Sequence, residues 1–312
     1  MASLIASLRR EAPDLVQTWL YHADLAGLAA ARAARVKRVA WNLRCEAIPH
    51  ENEGTLLRSA RWLLSRLSSE ADAILFNSLR GRASHEAVGY RAKKWIYVAN
   101  GVDTTLFRPD DERRRLSRRK LFLPADRPTV GFVGRFDPIK GHSVFLDALG
   151  DLPSFHAVLV GRGNDWKNDA LAEMISSRGL DARVTLLGER TDVAEVTAAF
   201  DVQALASWSE GFPNVLPDAM AAGVPCVSTD VGEAARILGS TGRVVPPGDA
   251  HSLAEAVRYT YDRRSELGEA AKCRAQRLLS MEAATAHYEA IWQALIDGDP
   301  IVHSPALEGL AS

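Results

Sequence analysis

The chain has 312 residues, 47% apolar and 25% charged, with a net charge of −1. That length suits two domains better than one core, and the composition excludes a disordered or fibrous chain. Three scattered cysteines, Cys45, Cys226 and Cys273, show neither metal-ligand spacing nor a disulfide framework, so the expectation is a reducing, cytoplasmic setting.

The stretch MASLIASLRREAPD carries charges within ten residues and lacks the apolar core of a signal peptide. No apolar run is long enough to span a bilayer. The small net charge hides an asymmetry: residues 1–125 hold 22 Lys and Arg against 13 Asp and Glu, whereas residues 126–312 hold 16 against 26. A basic half suits an anionic membrane surface or an acidic acceptor, although ordinary solvation explains it equally well.

Short β-branched runs alternate with amphipathic stretches, the pattern of parallel βαβ units. The first half predicts strands at Leu15–Trp19, Val39–Leu43, Ala73–Asn77 and Trp95–Asn100, with a helix over Thr55–Ser68. The charged, proline-flanked run Arg108–Arg127 reads as a domain end and linker with a short helix. The pattern then restarts. Strands are expected at Thr129–Val133, Ala157–Val160, Val184–Leu187, Val202–Ala206, Cys226–Thr229 and Arg243–Val245. Helices are expected at Gly141–Leu149, Asn168–Arg178, Val193–Ala199, Pro213–Ala222 and Ser252–Tyr261. The fold class is therefore α/β, with two Rossmann-like doubly wound domains over residues 1–125 and 126–280, and a last helix and tail over 281–312.

In such sheets ligands bind at the C-terminal ends of the strands. The loops there are GRFDPIKGH (134–142), GRGND (161–165), GERTD (188–192) and SEGFPN (209–214). Gly134 and Gly161 allow close backbone approach, and Arg135 and Arg162 follow them directly. Gly211 permits a turn, and Pro213 suits the first helical position. A helix N-terminus there favours an anion such as phosphate. Glu210 before the helix and Asp218 within it are two acceptors for hydroxyls on either side of that anion. For either acid alone, a solvated or capping role is the plainer explanation. Pro217 is expected to remove one helical hydrogen bond and bend the first turns.

EGFPNVLPDAMAAGVPCVSTDVGEAA resembles the donor-binding segment of the family-4 retaining glycosyltransferases, whose signature is E-x7-E and whose fold is GT-B. GRFDPIKG, NGVDTTLFRPD and TGRVVPPGDAHSLAEAV resemble three further family segments. The resemblance covers roughly Leu15 to Trp292. It implies that residues 126–280 bind a nucleotide diphosphate sugar as co-substrate, with UDP or GDP as the nucleotide, and that residues 1–125 face the acceptor. It implies that Glu210 contacts the donor sugar, that Gly211, Phe212, Pro213, Asn214 and Val215 contact sugar and phosphates, and that Arg135 and Lys140 contact the diphosphate. Asp218 stands where the family has a ribose-binding Glu, a shorter acid with less reach. Base contacts are expected around Gly188–Thr191, Arg190 included.

The implied reaction is transfer with retention, the leaving charge being met by Arg135, Lys140 and the helix N-terminus. No metal and no other cofactor is expected; the one D-x-D string, Asp297–Gly298–Asp299, reads as a solvated turn. On the acceptor side His22, Arg44, Glu46 and His50 are candidates, with Arg44 preferred for phosphate or acceptor contact. His142 and His156 read as structural. The expected acceptor is a saccharide or lipid-linked saccharide in exopolysaccharide or envelope assembly, at the inner membrane face. Nucleic acid is not an expected partner.

The family's opening strand and glycine-rich loop have no counterpart before Leu15, so the first domain is expected to be incomplete. The alternative reading is therefore a non-catalytic nucleotide-sugar-binding remnant, or a subunit completed by a partner chain. Related epimerase or phosphorylase chemistry fits the donor string less well.

Overall fold

The structure, a computed structural model, describes residues 1–45 and 55–301, residues 55–57 for their backbone only. Glu46 and His50 lie outside the described residues. The chain forms two compact units. One comprises Met1–Asn100 with the helix that follows Met281, and the other runs from Gly101 to Met281.

The first unit has four parallel strands, β1 (Leu15–Trp19), β2 (Arg38–Leu43), β3 (Ala73–Phe76) and β4 (Trp95–Tyr97), in that order across the sheet. Helices Tyr21–Ala34, Thr55–Leu67 and Leu79–Ala87 connect them, and a further helix, Ala2–Glu11, precedes β1. Strands buried on both faces read as continuous apolar runs, which is why β3 is simply AILF. The C-terminal helix Met281–Asp297 covers one face, burying Ile291 and Leu295 against Ala40, Leu75 and Ile96. Tyr288 and Trp292 also close on the sheet. Asn42 donates to the Tyr288 hydroxyl (3.0 Å), and the Trp292 indole N–H donates to Gln17 (2.6 Å).

The second unit has six parallel strands: β5 (Thr129–Val133), β6 (His156–Val160), β7 (Val184–Leu186), β8 (Val202–Leu205), β9 (Cys226–Thr229) and β10 (Arg243–Val245). Their order is β10-β9-β8-β5-β6-β7. The chain builds outward from β5 on one side, then crosses to β8 and builds outward on the other. The crevice above β5 and β8 is therefore the switch point of the sheet, where ligands are held in doubly wound folds.

The boundary expected at residue 125 is corrected. The arginine-rich run is not a linker: it forms the helix Asp111–Lys120, capped by Asp110, and belongs to the second unit. The reason is electrostatic. Arg114 and Arg118 reach Asp201, at the start of β8, at 2.6 and 3.3 Å, and the same carboxylate accepts from the Thr129 N–H at 2.7 Å. The Asp201 side chain is largely withdrawn from solvent, and its removal leaves Arg114 and Arg118 their backbone carbonyl acceptors without the carboxylate charge. Asp201→Ala is expected to cost about 3 kcal/mol in urea unfolding of the second unit's transition. A loss within about 0.5 kcal/mol would show that this cluster does not hold the helix.

Candidate functional site

The loops above β5 and β8 meet through one ion pair. Lys140 Nζ lies 2.6 Å from Glu210 Oε1, both side chains being mostly buried. The Ser207 hydroxyl donates to the same oxygen at 2.7 Å. The pair depends on the backbone beneath it. Gly141 follows the lysine at φ +70°, and a Cβ there would stand 2.0 Å from the Ala206 carbonyl oxygen, so only glycine lets the β5 loop rest on the β8 loop. The Trp208 N–H donates to the Ile139 carbonyl at 2.7 Å, a second tie between the loops.

Glu210 is held from its other side as well. Gly232, at φ +51°, brings the chain so close that a Cβ would lie 2.2 Å from the Gly211 oxygen. The Glu233 N–H donates to that oxygen at 3.0 Å. Ser207 in turn accepts, through its carbonyl, a bond from the Thr229 hydroxyl at 2.7 Å. Three successive strand ends, after β5, β8 and β9, thus fix one carboxylate.

A second network locks the glycine loops. Asn164 is fully buried and its amide donates to the Gly134 carbonyl at 2.7 Å. Its oxygen then faces His142 Nε2 at 2.9 Å, so that nitrogen carries the proton. The Gly188 N–H donates to the Asn164 carbonyl, and the Gly161 N–H donates to the Gly188 carbonyl. Gly134, Gly161 and Gly188 are therefore joined through one asparagine. Burial lowers the pKa of His142, which packs against Phe132 and Phe136, in keeping with a structural role. His156, bonded to Thr185, is held likewise.

The expected helix start is corrected. The helix runs Val215–Ala221 with Asn214 as its N-cap position, and Pro213 precedes it. Pro217 therefore falls third in the helix, within the turn whose N–H groups have no intrahelical acceptor, and it breaks no hydrogen bond. Phe212 and Pro213 are buried, Gly211 and Val215 half-buried, and Asn214 exposed. Asp218 lies half-buried on the next turn, and burial alone pushes its carboxyl up to about 7. No side-chain donor among the described residues satisfies it, so it is an acceptor lacking a partner.

The remaining candidates are tied elsewhere. Arg135 is half-exposed on the β5 loop and bonds Asp137 at 2.8 Å, and Asp137 itself caps the Ile139 N–H. Arg190 makes a two-pronged pair with Asp192 at 2.8 and 2.6 Å. Arg44 belongs to the first unit. Its guanidinium donates to Asn100 and to the Val98 carbonyl, and stacks over Trp19 and Tyr288. Burial lowers the Arg44 pKa to about 10. His22 is exposed in the first turn of its helix. Asp297, Gly298 and Asp299 end the C-terminal helix, both Gly298 and Asp299 donating to the Ala294 carbonyl. Among the described residues no three His, Cys, Asp or Glu side chains cluster as metal ligands.

Ser207, Asn164, Gly232 and Glu233 were not expected from the sequence. A hydroxyl three residues before Glu210 was the one visible signal. The others act through backbone approaches that only the fold creates.

Two parallel α/β units, the second with the switch-point strand order, define the GT-B class of glycosyltransferase fold. Two family models match, "Glycosyltransferase Family 4" over residues 1–106 and "Glycosyl transferases group 1" over residues 127–263. The chain belongs to the family-4 glycosyltransferases. Among solved structures, Anabaena HepE in complex with UDP aligns with a TM-score of 0.83 and 25% identity, covering 94% of this chain and 81% of that one. HepE with UDP-glucose aligns at 0.82, with the same identity and coverage. Sucrose-phosphate synthase from Thermosynechococcus elongatus shares the fold, at 0.82 and 23% identity over 94% of this chain and 76% of that one. The D-inositol 3-phosphate glycosyltransferase of Mycobacterium tuberculosis is 36% identical over 167 residues, 51% of this chain and 34% of the relative. The chain thus matches about a third of the length of the curated relatives.

Asp218 gives a test with a defined sign. Its folded pKa is raised, so its contribution to stability is fully present below the unfolded value of about 3.9 and is lost as pH rises through about 7. Asp218→Asn is expected to raise the melting temperature by a few degrees near pH 8, with the gain vanishing near pH 4. Burial also pushes Asp24 to about 7, but that group is common to both proteins and cancels. A gain independent of pH would refute the dehydrated carboxylate.

Proposed function

We propose that the protein is a retaining glycosyltransferase that takes a sugar from a nucleotide diphosphate donor and passes it to a saccharide or lipid-linked acceptor. The observation that carries the reading is the Lys140–Glu210–Ser207 cluster at the switch point of the second unit. A cation and an oriented carboxylate side by side suit a diphosphate joined to a polyol: the ammonium meets phosphate oxygens and the carboxylate accepts from sugar hydroxyls. In this reading Asp218, short of a side-chain donor, accepts from a ribose. At the start of the Val215–Ala221 helix Leu216 already donates to the Pro213 carbonyl and Pro217 has no N–H, so in this reading the Val215 N–H is the donor left for phosphate.

Cleavage of the sugar–phosphate bond develops charge on the leaving diphosphate. In this reading Lys140 and Arg135 stabilise that charge without a metal, Arg135 first leaving Asp137. The acceptor hydroxyl attacks on the leaving-group face, and its proton passes to a departing phosphate oxygen. UDP is the favoured nucleotide because HepE, of the same fold, is solved with UDP and UDP-glucose. The relatives named for D-inositol 3-phosphate suggest an anionic acceptor, which suits the 15 basic against 9 acidic residues in 1–100 of the first unit. A place in exopolysaccharide or envelope glycan assembly at the cytoplasmic membrane face is proposed on the basic character of that unit alone. No helix among the described residues is long and apolar enough to cross a membrane.

Calorimetric titration with UDP, GDP and ADP, followed by turnover of UDP-glucose, tests the proposal. UDP is expected to bind most tightly. Glu210→Gln is expected to lower turnover roughly a hundredfold or more while changing nucleotide affinity only a few-fold. Absence of binding to all three by the folded protein, or full turnover in Glu210→Gln, would refute it.

A further inference from the structure

The arginine-rich helix Asp111–Lys120 ends in an unusual residue. Its last turn closes as a Schellman motif: the Phe122 N–H donates to the Arg119 carbonyl and the Leu123 N–H to the Arg118 carbonyl, each at 3.0 Å. The residue between must be left-handed, and glycine is the usual choice. Here it is Phe122, at φ +53° and 92% exposed. Leu123, beside it, is buried in the expected way. The fold alone thus gives no reason for a phenylalanine, which adds backbone strain and leaves a whole ring in water.

The surroundings select a partner. Leu116 is partly exposed one and a half turns earlier, and Arg115, Arg119 and Lys120 are exposed around the two apolar side chains. Arg115 leans only loosely on Glu112, at 3.9 Å; Asp111 and Asp126 are also exposed nearby in sequence, and Arg190, with Lys120 adding to it, holds the Asp192 carboxyl below its usual pKa. A ring this exposed projects rather than lines a groove. Protein partners demand shape complementarity over about 1,000 Å², whereas a bilayer accepts a projecting ring without it. Cations on long stems beside that ring match an anionic headgroup layer.

We infer that the C-terminal end of this helix is a membrane-docking point, with Phe122 entering the acyl boundary of an anionic bilayer and Arg115, Arg119 and Lys120 resting among its headgroups. The inference is independent of the donor chemistry, since no residue of the Lys140–Glu210 cluster takes part.

Co-sedimentation with vesicles of phosphatidylcholine, alone or mixed with phosphatidylglycerol, tests it. The intact protein is expected to bind the mixed vesicles, less so at raised salt. Phe122→Gly removes the ring and supplies the residue that the turn favours, so its melting temperature should hold or rise. Its vesicle partitioning should fall about tenfold. Arg119→Glu with Lys120→Glu should abolish the preference for phosphatidylglycerol. Failure of the intact protein to bind vesicles, undiminished binding by Phe122→Gly, or a lower melting temperature in that variant would each overturn the inference. A dimer that Phe122→Gly dissolves, without vesicle binding, would also overturn it and assign the face to a second copy. UDP titration of the same samples reports the donor reading separately.

Discussion

A lysine ammonium and a glutamate carboxylate 2.6 Å apart, over the one place where the strand order turns back on itself, organise the upper surface of the second unit. An ion pair withdrawn from water is costly unless its remaining valences are satisfied. Here Ser207 satisfies one of them, and the backbone beneath is fixed by Gly141 on Ala206 and by Gly232 on Gly211. The carboxylate is therefore set before any ligand arrives. In the proposed reaction that matters because orientation achieved during folding need not be achieved again during turnover.

The same logic separates the rigid groups from the adjustable ones. Asn164 locks three loops from a fully buried position, its amide and its oxygen both engaged, by Gly134 and His142. Arg135 and Arg190 lie at the surface in short-range pairs with Asp137 and Asp192, contacts that water competes with and that a phosphate could replace. Asp218 is the opposite case: half-buried, it has lost part of its hydration without gaining a side-chain donor among the described residues. Such a group weakens the fold at neutral pH, a trade-off found where a site must bind something later.

Much of the fold was legible. Fully buried parallel strands are written as unbroken apolar runs, so AILF marks β3 and AVLV marks most of β6 plainly, and the observed strand limits fall within a few residues of expectation. The start of the Val215–Ala221 helix was misread because proline favours the first helical position, yet here Asn214 takes the cap and Pro213 stands outside. The unit boundary was misread because a run of arginines looks solvated. Its partner, Asp201, lies 87 residues away from Arg114 and is brought near only by the sheet. Lys140 and Glu210 were legible as candidates through the resemblance of their segments to a known family. Their direct pairing, and the parts of Ser207, Asn164 and Gly232, were not, since each depends on two loops meeting.

The central claim is that Lys140 is the cation that recognises a β-phosphate. Calorimetry of UDP against UMP, in the intact protein and in Lys140→Ala, tests it most directly. The account predicts that the intact protein prefers UDP by roughly tenfold to a hundredfold and that Lys140→Ala loses most of this preference while still binding UMP. Equal affinity for the two nucleotides in the intact protein, or a preference for UDP that survives in Lys140→Ala, would contradict it.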